Sequence, residues 1–296
     1  MRSVTITLAT LVGTVVAALI SGAIALCEAN LYVPHKASEN LPSSRLGDWR
    51  DVSVIARDGI SLAAWFVKPS AKTHNCVVVL HGVGDSRVGS AGYASIFLSS
   101  GYNVLLPDSR GHGASGGDIV TYGIREKFDV TSWIAWLRKQ GCQRIFGLGE
   151  SLGGAVLIQA AAVTHDLSAI VAESSYSDLK SVAGYRVGRM IAVPRVSEPV
   201  AALMVGTAMQ YARVRYGVNL EEVSPISAIG QIRTPILLVH GLADTETPPG
   251  ESVELANRNS RAVLWLVPHA KHVGAYSANP AMFGERVLSW FAEHAD

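Results

Sequence analysis

Apolar runs alternate with helical stretches through most of this chain, and that rhythm restricts its fold more than any other feature. Cys76–Leu80, Asn103–Leu106, Arg144–Leu148, Ser168–Ala172, Pro235–Val239 and Ala262–Val267 read as strands. Helical patterns fill the intervals near Gly89–Ser100, Gly123–Lys139, Leu152–Val163, Gly250–Asn257 and Met282–His294. Strands that are apolar along their whole length are covered on both faces. Their alternation with helices implies a mainly parallel α/β sheet flanked by helices, with ligands beyond the carboxyl ends of the strands. Upstream, Trp49–Ala56 and Ile60–Lys68 are β-patterned and separated by Arg57-Asp58-Gly59, a hairpin signal that brings the expected sheet to eight strands.

One insertion breaks the rhythm. Residues from about 177 to 224 separate two strands with helix-like segments, rich in Val, Ala and Met and dotted with Arg186, Arg189, Arg195, Arg213 and Arg215. They read as a short amphipathic helical cap, apolar underneath with snorkelling arginines on top. The sharper alternative is that the apolar face lines an acyl pocket and the arginines meet anionic lipid headgroups or acidic substrates. The N-terminus departs from the pattern too. Val4 to Cys27 carries no charge and makes about 36 Å of helix, enough to cross a bilayer. The apolar core of a secretory signal is about 7–15 residues, so the length favours an uncleaved anchor, although Ala23-Ile24-Ala25 resembles a cleavage site. Arg2 before the segment and Glu28 after it place the N-terminus in the cytoplasm and the rest outside, as a single-pass protein of the cell membrane. The expected organisation is therefore an anchor or signal segment over 1–30, a polar tether over 31–48 and an α/β domain over 49–296.

Composition excludes several classes. A net charge of +1 offers nothing to nucleic acid, and nine scattered histidines show no metal-ligand spacing. Three cysteines are too few for a disulfide framework, and Cys76 and Cys142, at the openings of apolar strands, read as small buried hydrophobes.

Chemistry-bearing residues follow the strands. Gly149-Glu150-Ser151-Leu152-Gly153 places a serine between a strand and a small-residue helix, the context of a nucleophile elbow. His81-Gly82-Val83-Gly84-Asp85 follows Val77–Leu80, where the Val83 N–H can join the Leu152 N–H in an oxyanion hole, with His81 buttressing the turn. After the next strand, Asp108 and Arg110 read as an ion pair that fixes a glycine-rich loop, and His112 as a rim residue. Asp244 follows Ile236–Val239 in position to orient an imidazole, and Pro268-His269-Ala270-Lys271-His272 supplies a base after the last strand.

From about Trp49 onward the chain resembles the α/β-hydrolase superfamily, most of all its single-domain serine hydrolases with a short lid and an N-terminal membrane helix. The resemblance rests on His81-Gly82, on Asp108 through Ser115, on Gly149 through Gly154, on His240 through Asp244, and on Pro268 followed four residues later by His272. It implies an α/β-hydrolase fold with Ser151 as nucleophile, His272 as general base and Asp244 holding it. Val83 and Leu152 then give the oxyanion N–H groups, supported by His81, Gly82, Asp108, Arg110, Gly149 and Gly153. Similar proteins carry a small residue before the catalytic histidine, where this chain has Lys271. Such chemistry requires no cofactor and no metal, and its partner is a small-molecule or lipid-like acyl substrate. The expected activity is carboxylic-ester hydrolysis. A thioesterase, peptidase, amidase or acyltransferase fits the same triad, and a non-catalytic binding module is the reading from outside enzymes.

Overall fold

The computed structural model describes residues 2–35 and 49–295, so residues 36–48 of the expected tether lie outside the described part. The chain forms two compact units, Val33–Asp178 with Val223–Asp296, and Met1–Tyr32 with Leu179–Glu222.

The larger unit is built on a sheet whose described strands are β1 (Trp49–Ile55), β2 (Ser61–Val67), β3 (Asn75–Leu80), β4 (Asn103–Pro107), β5 (Arg144–Glu150), β6 (Ile170–Glu173), β7 (Ile236–Gly241) and β8 (Ala262–Val267). Their order is β1-β2-β4-β3-β5-β6-β7-β8. The β1–β2 and β2–β4 pairs are antiparallel and all later pairs parallel. This is the α/β-hydrolase fold with the eight strands that the sequence predicts. Strand boundaries move by a residue or two: β6 starts at Ile170 rather than Ser168, β5 ends at Glu150 rather than Leu148, and β7 ends at Gly241 rather than Val239.

The helices are α1 (Arg2–Leu31), α2 (Arg87–Ser99), α3 (Glu126–Lys139), α4 (Leu152–Ala161), α5 (Leu179–Met190), α6 (Pro194–Tyr216), α7 (Pro225–Ile229), α8 (Gly250–Arg258), α9 (Ala275–Ala278) and α10 (Pro280–Glu293). Alternate residues of the central strands pack on opposite faces. Val77, Val79, Phe146, Leu148, Val171 and Val239 join Phe97 of α2 with Phe283 and Phe291 of α10, and Phe291 stacks on Phe146 at 4.7 Å. On the other face Gly147 leaves room for Leu157 of α4. Burying these strands on both faces is the main stabilising term.

The reading of Cys76 and Cys142 as unpaired hydrophobes is wrong: they form a disulfide with Cα atoms 5.8 Å apart. β3 and β5 are hydrogen-bonded neighbours with Cys76 opposite Ile145, which brings the loop before β5 alongside Cys76. Neither cysteine signals this locally, because the pairing exists only once the two strands are side by side. Closing a 66-residue separation stabilises the fold by about 4 kcal/mol in the chain-entropy picture.

The smaller unit holds α1, α5, α6 and a 3-10 turn at Leu220–Glu222. The cap expected over 177–224 is therefore a helical hairpin. α6 begins at a proline in its first turn, which needs no N–H there, and ends at Gly217 in the left-handed conformation (φ +66°). Among the described residues, Thr10–Leu31 is the one helix long and apolar enough to cross a membrane.

Candidate active site

β3 is the strand at which the sheet order reverses, with β4 on one side and β5 on the other. Doubly wound sheets open a crevice at such a switch point. The turns after β3 and β5 meet there: a Cβ on Gly82 would stand 3.7 Å from Cβ of Ser151.

The Ser151 turn is as sharp as the motif predicts. Its φ of +50° is a conformation that costs a non-glycine residue about 1–3 kcal/mol, and neighbours hold it there. Its N–H donates to Glu173 O at 2.8 Å, and its own carbonyl accepts the Ala155 N–H at 3.1 Å, opening α4. The flanking glycines are steric requirements. A Cβ on Gly149 would lie 2.3 Å from the Gly153 carbonyl carbon, and one on Gly153 would lie 2.3 Å from Leu80 O. Leu152 is the first residue of α4, where a helical N–H has no carbonyl one turn back.

Ser151 Oγ lies 3.1 Å from His272 Nε2, and His272 Nδ1 lies 2.7 Å from Asp244 Oδ2. His269, the other histidine of the Pro268–His272 segment, is exposed and takes no part in this chain of contacts. Asp244 is buried, and its Oδ1 accepts the N–H groups of Glu246 and Thr247, both at 2.9 Å. Burial works against its charge. Hydrogen bonds from His240 and His272 and from the Thr247 N–H outweigh it and hold the carboxyl well below the usual carboxylate range. An anionic Asp244 accepts the Nδ1–H of His272, which leaves Nε2 to accept a proton from Ser151.

The supporting residues differ from expectation in their partners. His81 does buttress its turn, with Nε2 accepting the Ser109 N–H at 3.0 Å. His112 is not a rim residue: it is fully buried and its Nε2 accepts the Gly84 N–H at 3.1 Å, fixing the loop that carries Val83. Asp108 and Arg110 are both in ion pairs, though not with each other. Asp108 meets Arg87 Nε at 3.3 Å and accepts the N–H groups of Arg87 and Ala114 at 2.8 Å. Arg110 binds Asp58 at 2.7 Å and Asp129 at 2.6 Å. Each of the two, separated by Ser109, therefore finds its partner on another element.

Three groups escape sequence reasoning. His240 is buried, with Nε2 2.8 Å from Thr247 O and 3.2 Å from Asp244 Oδ2, so it braces the carboxylate from behind. Ser174 and Val273 share the site's positive φ values, +51° each, and the Val273 N–H donates to Ser174 Oγ at 3.1 Å, which pins the residue after His272. Glu150 and Glu173 both contact the Tyr93 hydroxyl, at 2.8 and 3.1 Å. One hydroxyl carries one proton, so satisfying both carboxyls requires a second proton on one of them. Burial pushes Glu150 up to about 8, and the charges of Glu173 and Asp85 add to that against the Tyr93 hydrogen bond. Residues 93, 150 and 173 share no local pattern. Of these groups only His240, which directly follows the apolar run Ile236–Val239, offered a signal in the sequence.

The family model of X-Pro dipeptidyl-peptidases (S15 family) matches residues 28–219. The chain belongs to that family. It is a hydrolase of the α/β-hydrolase fold. An uncharacterized Bacillus subtilis protein, YqkD, is 26% identical over 285 residues, covering 90% of this chain and 91% of the relative. A thermostable monoacylglycerol lipase of Bacillus sp. (strain H-257) is 26% identical over 246 residues, covering 74% and 91% respectively. Among solved structures, the Pyrococcus furiosus esterase Pf2001 superposes with a TM-score of 0.72 at 24% identity, over 90% of this chain and all of that one (100%).

Proposed function

We propose that this hydrolase cleaves carboxylic esters of small or lipid-like acyl groups, with Ser151 as nucleophile, His272 as general base and Asp244 as the residue that orients it. The observation that carries this reading is the continuous contact from Ser151 Oγ through His272 to Asp244, at 3.1 and 2.7 Å. His272 Nε2 takes the hydroxyl proton as Oγ attacks the ester carbonyl. The tetrahedral oxyanion rests on the N–H groups of Val83 and Leu152, at the positive end of α4. His272 returns the proton to the departing alkoxide, and water then releases the acyl group by the same route. The similarity to a monoacylglycerol lipase supports an ester substrate.

The family's description favours a second reading, removal of X-Pro dipeptides. That reaction has to hold a substrate's free ammonium. The carboxyls beside Ser151 are not offered for it: Glu150 and Glu173 are 7% and 0% exposed and are bound to Tyr93 and, for Glu173, to the Ala275 N–H.

In this proposal α1 is a single-pass anchor and the larger unit lies outside the cytoplasm. The Cys76–Cys142 disulfide supports that side, because such bonds persist in oxidising compartments. The test is hydrolysis of nitrophenyl esters from acetyl to palmitoyl, and of an X-Pro anilide, by the full chain and by Ser151→Ala. Ester turnover that falls by roughly 10⁴–10⁶ in the variant is expected. Turnover of the anilide alone overturns the ester reading. Silence on both, without labelling of Ser151 by a fluorophosphonate, points to a binding module.

A further inference from the structure

The smaller unit carries a surface that ester cleavage does not use. α1 is packed over its last third, where Ala23, Cys27 and Leu31 are buried at four-residue spacing on one stripe. α6 covers that stripe, with Met204 Cε 3.5 Å from where a Gly22 side chain would begin and Tyr211 and Tyr216 reaching Glu28. Both tyrosine hydroxyls donate to Glu28 Oε1, at 2.6 and 2.5 Å. Tyr32 and Tyr211 set their rings edgewise against Tyr216, and the Arg215 guanidinium lies 5.0 Å from that ring's centre. A cluster of tyrosines at the end of an apolar helix is what a membrane–water boundary selects.

N-terminal to that stem, residues 10–18 are exposed throughout. Arg2 through Ser21 is about 20 residues, or roughly 30 Å of helix, the thickness of the hydrocarbon core. That length fills the bilayer and leaves the packed stem and α6 at its surface.

At that level α6 turns an apolar face outward. Val196, Leu203 and Val214 are 43%, 56% and 76% exposed, and their seven- and eleven-residue spacings put them on one side of the helix. Ile24 of α1 borders the same groove as Ala202, Leu203, Gly206 and Val214, so the face is continuous with the bare surface of α1. Arg195 and Arg213 stand near its two ends, and Leu179 to Glu222 holds six basic side chains against three acidic ones. An apolar stripe with cationic ends suits the boundary between headgroups and acyl chains of an anionic bilayer.

We infer that the bilayer holding α1 is also the partner of this α6 face, with Val196, Leu203 and Val214 toward the acyl chains and Arg195 and Arg213 at the headgroups. The inference rests on α1 being an anchor. Cys76 and Cys142 are paired, so Cys27→Ala removes the one remaining thiol and lets a single cysteine be placed at will. The full chain carrying Leu203→Cys, Val15→Cys or Glu221→Cys is labelled with an environment-sensitive fluorophore and reconstituted in phosphatidylcholine–phosphatidylglycerol vesicles containing brominated lipids. Labels at 203 and 15 are expected to lose roughly half their emission to lipids brominated near the headgroup and deep in the chain, respectively, while the label at 221 stays bright. Quenching at 15 without quenching at 203 overturns the inference and leaves the anchor standing. Quenching at neither position overturns the anchor as well. A label at 203 that is shielded from bromolipid and self-quenches as protein density rises assigns the face to a second copy, which also overturns it.

Discussion

The two units solve opposite problems with the same small residues. In the larger one, Gly149 and Gly153 are wedged against backbone, and the polar groups around Ser151 are tied into a network of short contacts. In the smaller one, Gly184 and Gly206 have no neighbour within 4 Å of an added Cβ, and large apolar side chains stay exposed on α6. The first unit is built to hold a few atoms in place and the second to present a surface. The difference teaches that a glycine's neighbours, and not its presence in a helix or turn, decide what it does.

Four substitutions sharpen or break that contrast. The largest effect on stability is expected from Cys76→Ser, a loss of about 4 kcal/mol in urea unfolding, reproduced in the unmutated chain by a reductant. An unchanged midpoint would mean that the bridge does not constrain the unfolded chain. Gly153→Ala should cost about 3 kcal/mol, because its Cβ meets a backbone carbonyl that cannot step aside, and should abolish fluorophosphonate labelling of Ser151. A stable, labelled variant would show that the elbow is looser than its geometry.

A smaller effect distinguishes the buried carboxyls. Glu150 titrates near 8 in the fold and near 4.5 when unfolded, so between those values the native state holds a proton that the unfolded state has released. Its stabilising contribution is full below pH 4.5 and is lost as pH rises toward 8. Glu150→Gln should therefore flatten the fall in stability between about pH 5 and 8. An equally steep fall in the variant would assign the slope to other groups. The smallest effect is Gly206→Ala in α6, a gain of about 0.5–1 kcal/mol from better helix propensity, read as a raised Tm. A loss there would mean that something packs closely on that glycine, and the contrast between the two units would fail.

What was legible in the chain follows from how local each signal is. The strand–helix alternation, the Ser151 turn and the placing of Asp244 and His272 after strands depend on neighbours in sequence, and the fold and the contact geometry match them. Cys76 and Cys142 were misread because their pairing depends on β3 and β5 being adjacent, which no local pattern announces. Asp108 and Arg110 were rightly seen as ion-paired but assigned to each other, since a turn's two side chains look closest on paper. His112 looked like a rim residue because loop histidines often are, whereas its imidazole is spent on the Gly84 N–H. Tyr93, Glu150 and Glu173 come from three different elements and could be joined only by the folded sheet.

The packed stem of α1 alters what its removal means. Ala23, the first of the three residues of the sequence that resembles a cleavage site, is fully buried, and Cys27 and Leu31 after it are buried too. A chain shortened to begin at Trp49 would keep every residue that contacts Ser151 and still lose the partner of Met204, Tyr211 and Tyr216. The bared side of α6 would then be sticky in water. Purified truncations are thus expected to behave as aggregating enzymes, so poor solubility of such a fragment would report a missing piece of the smaller unit rather than a defective catalyst.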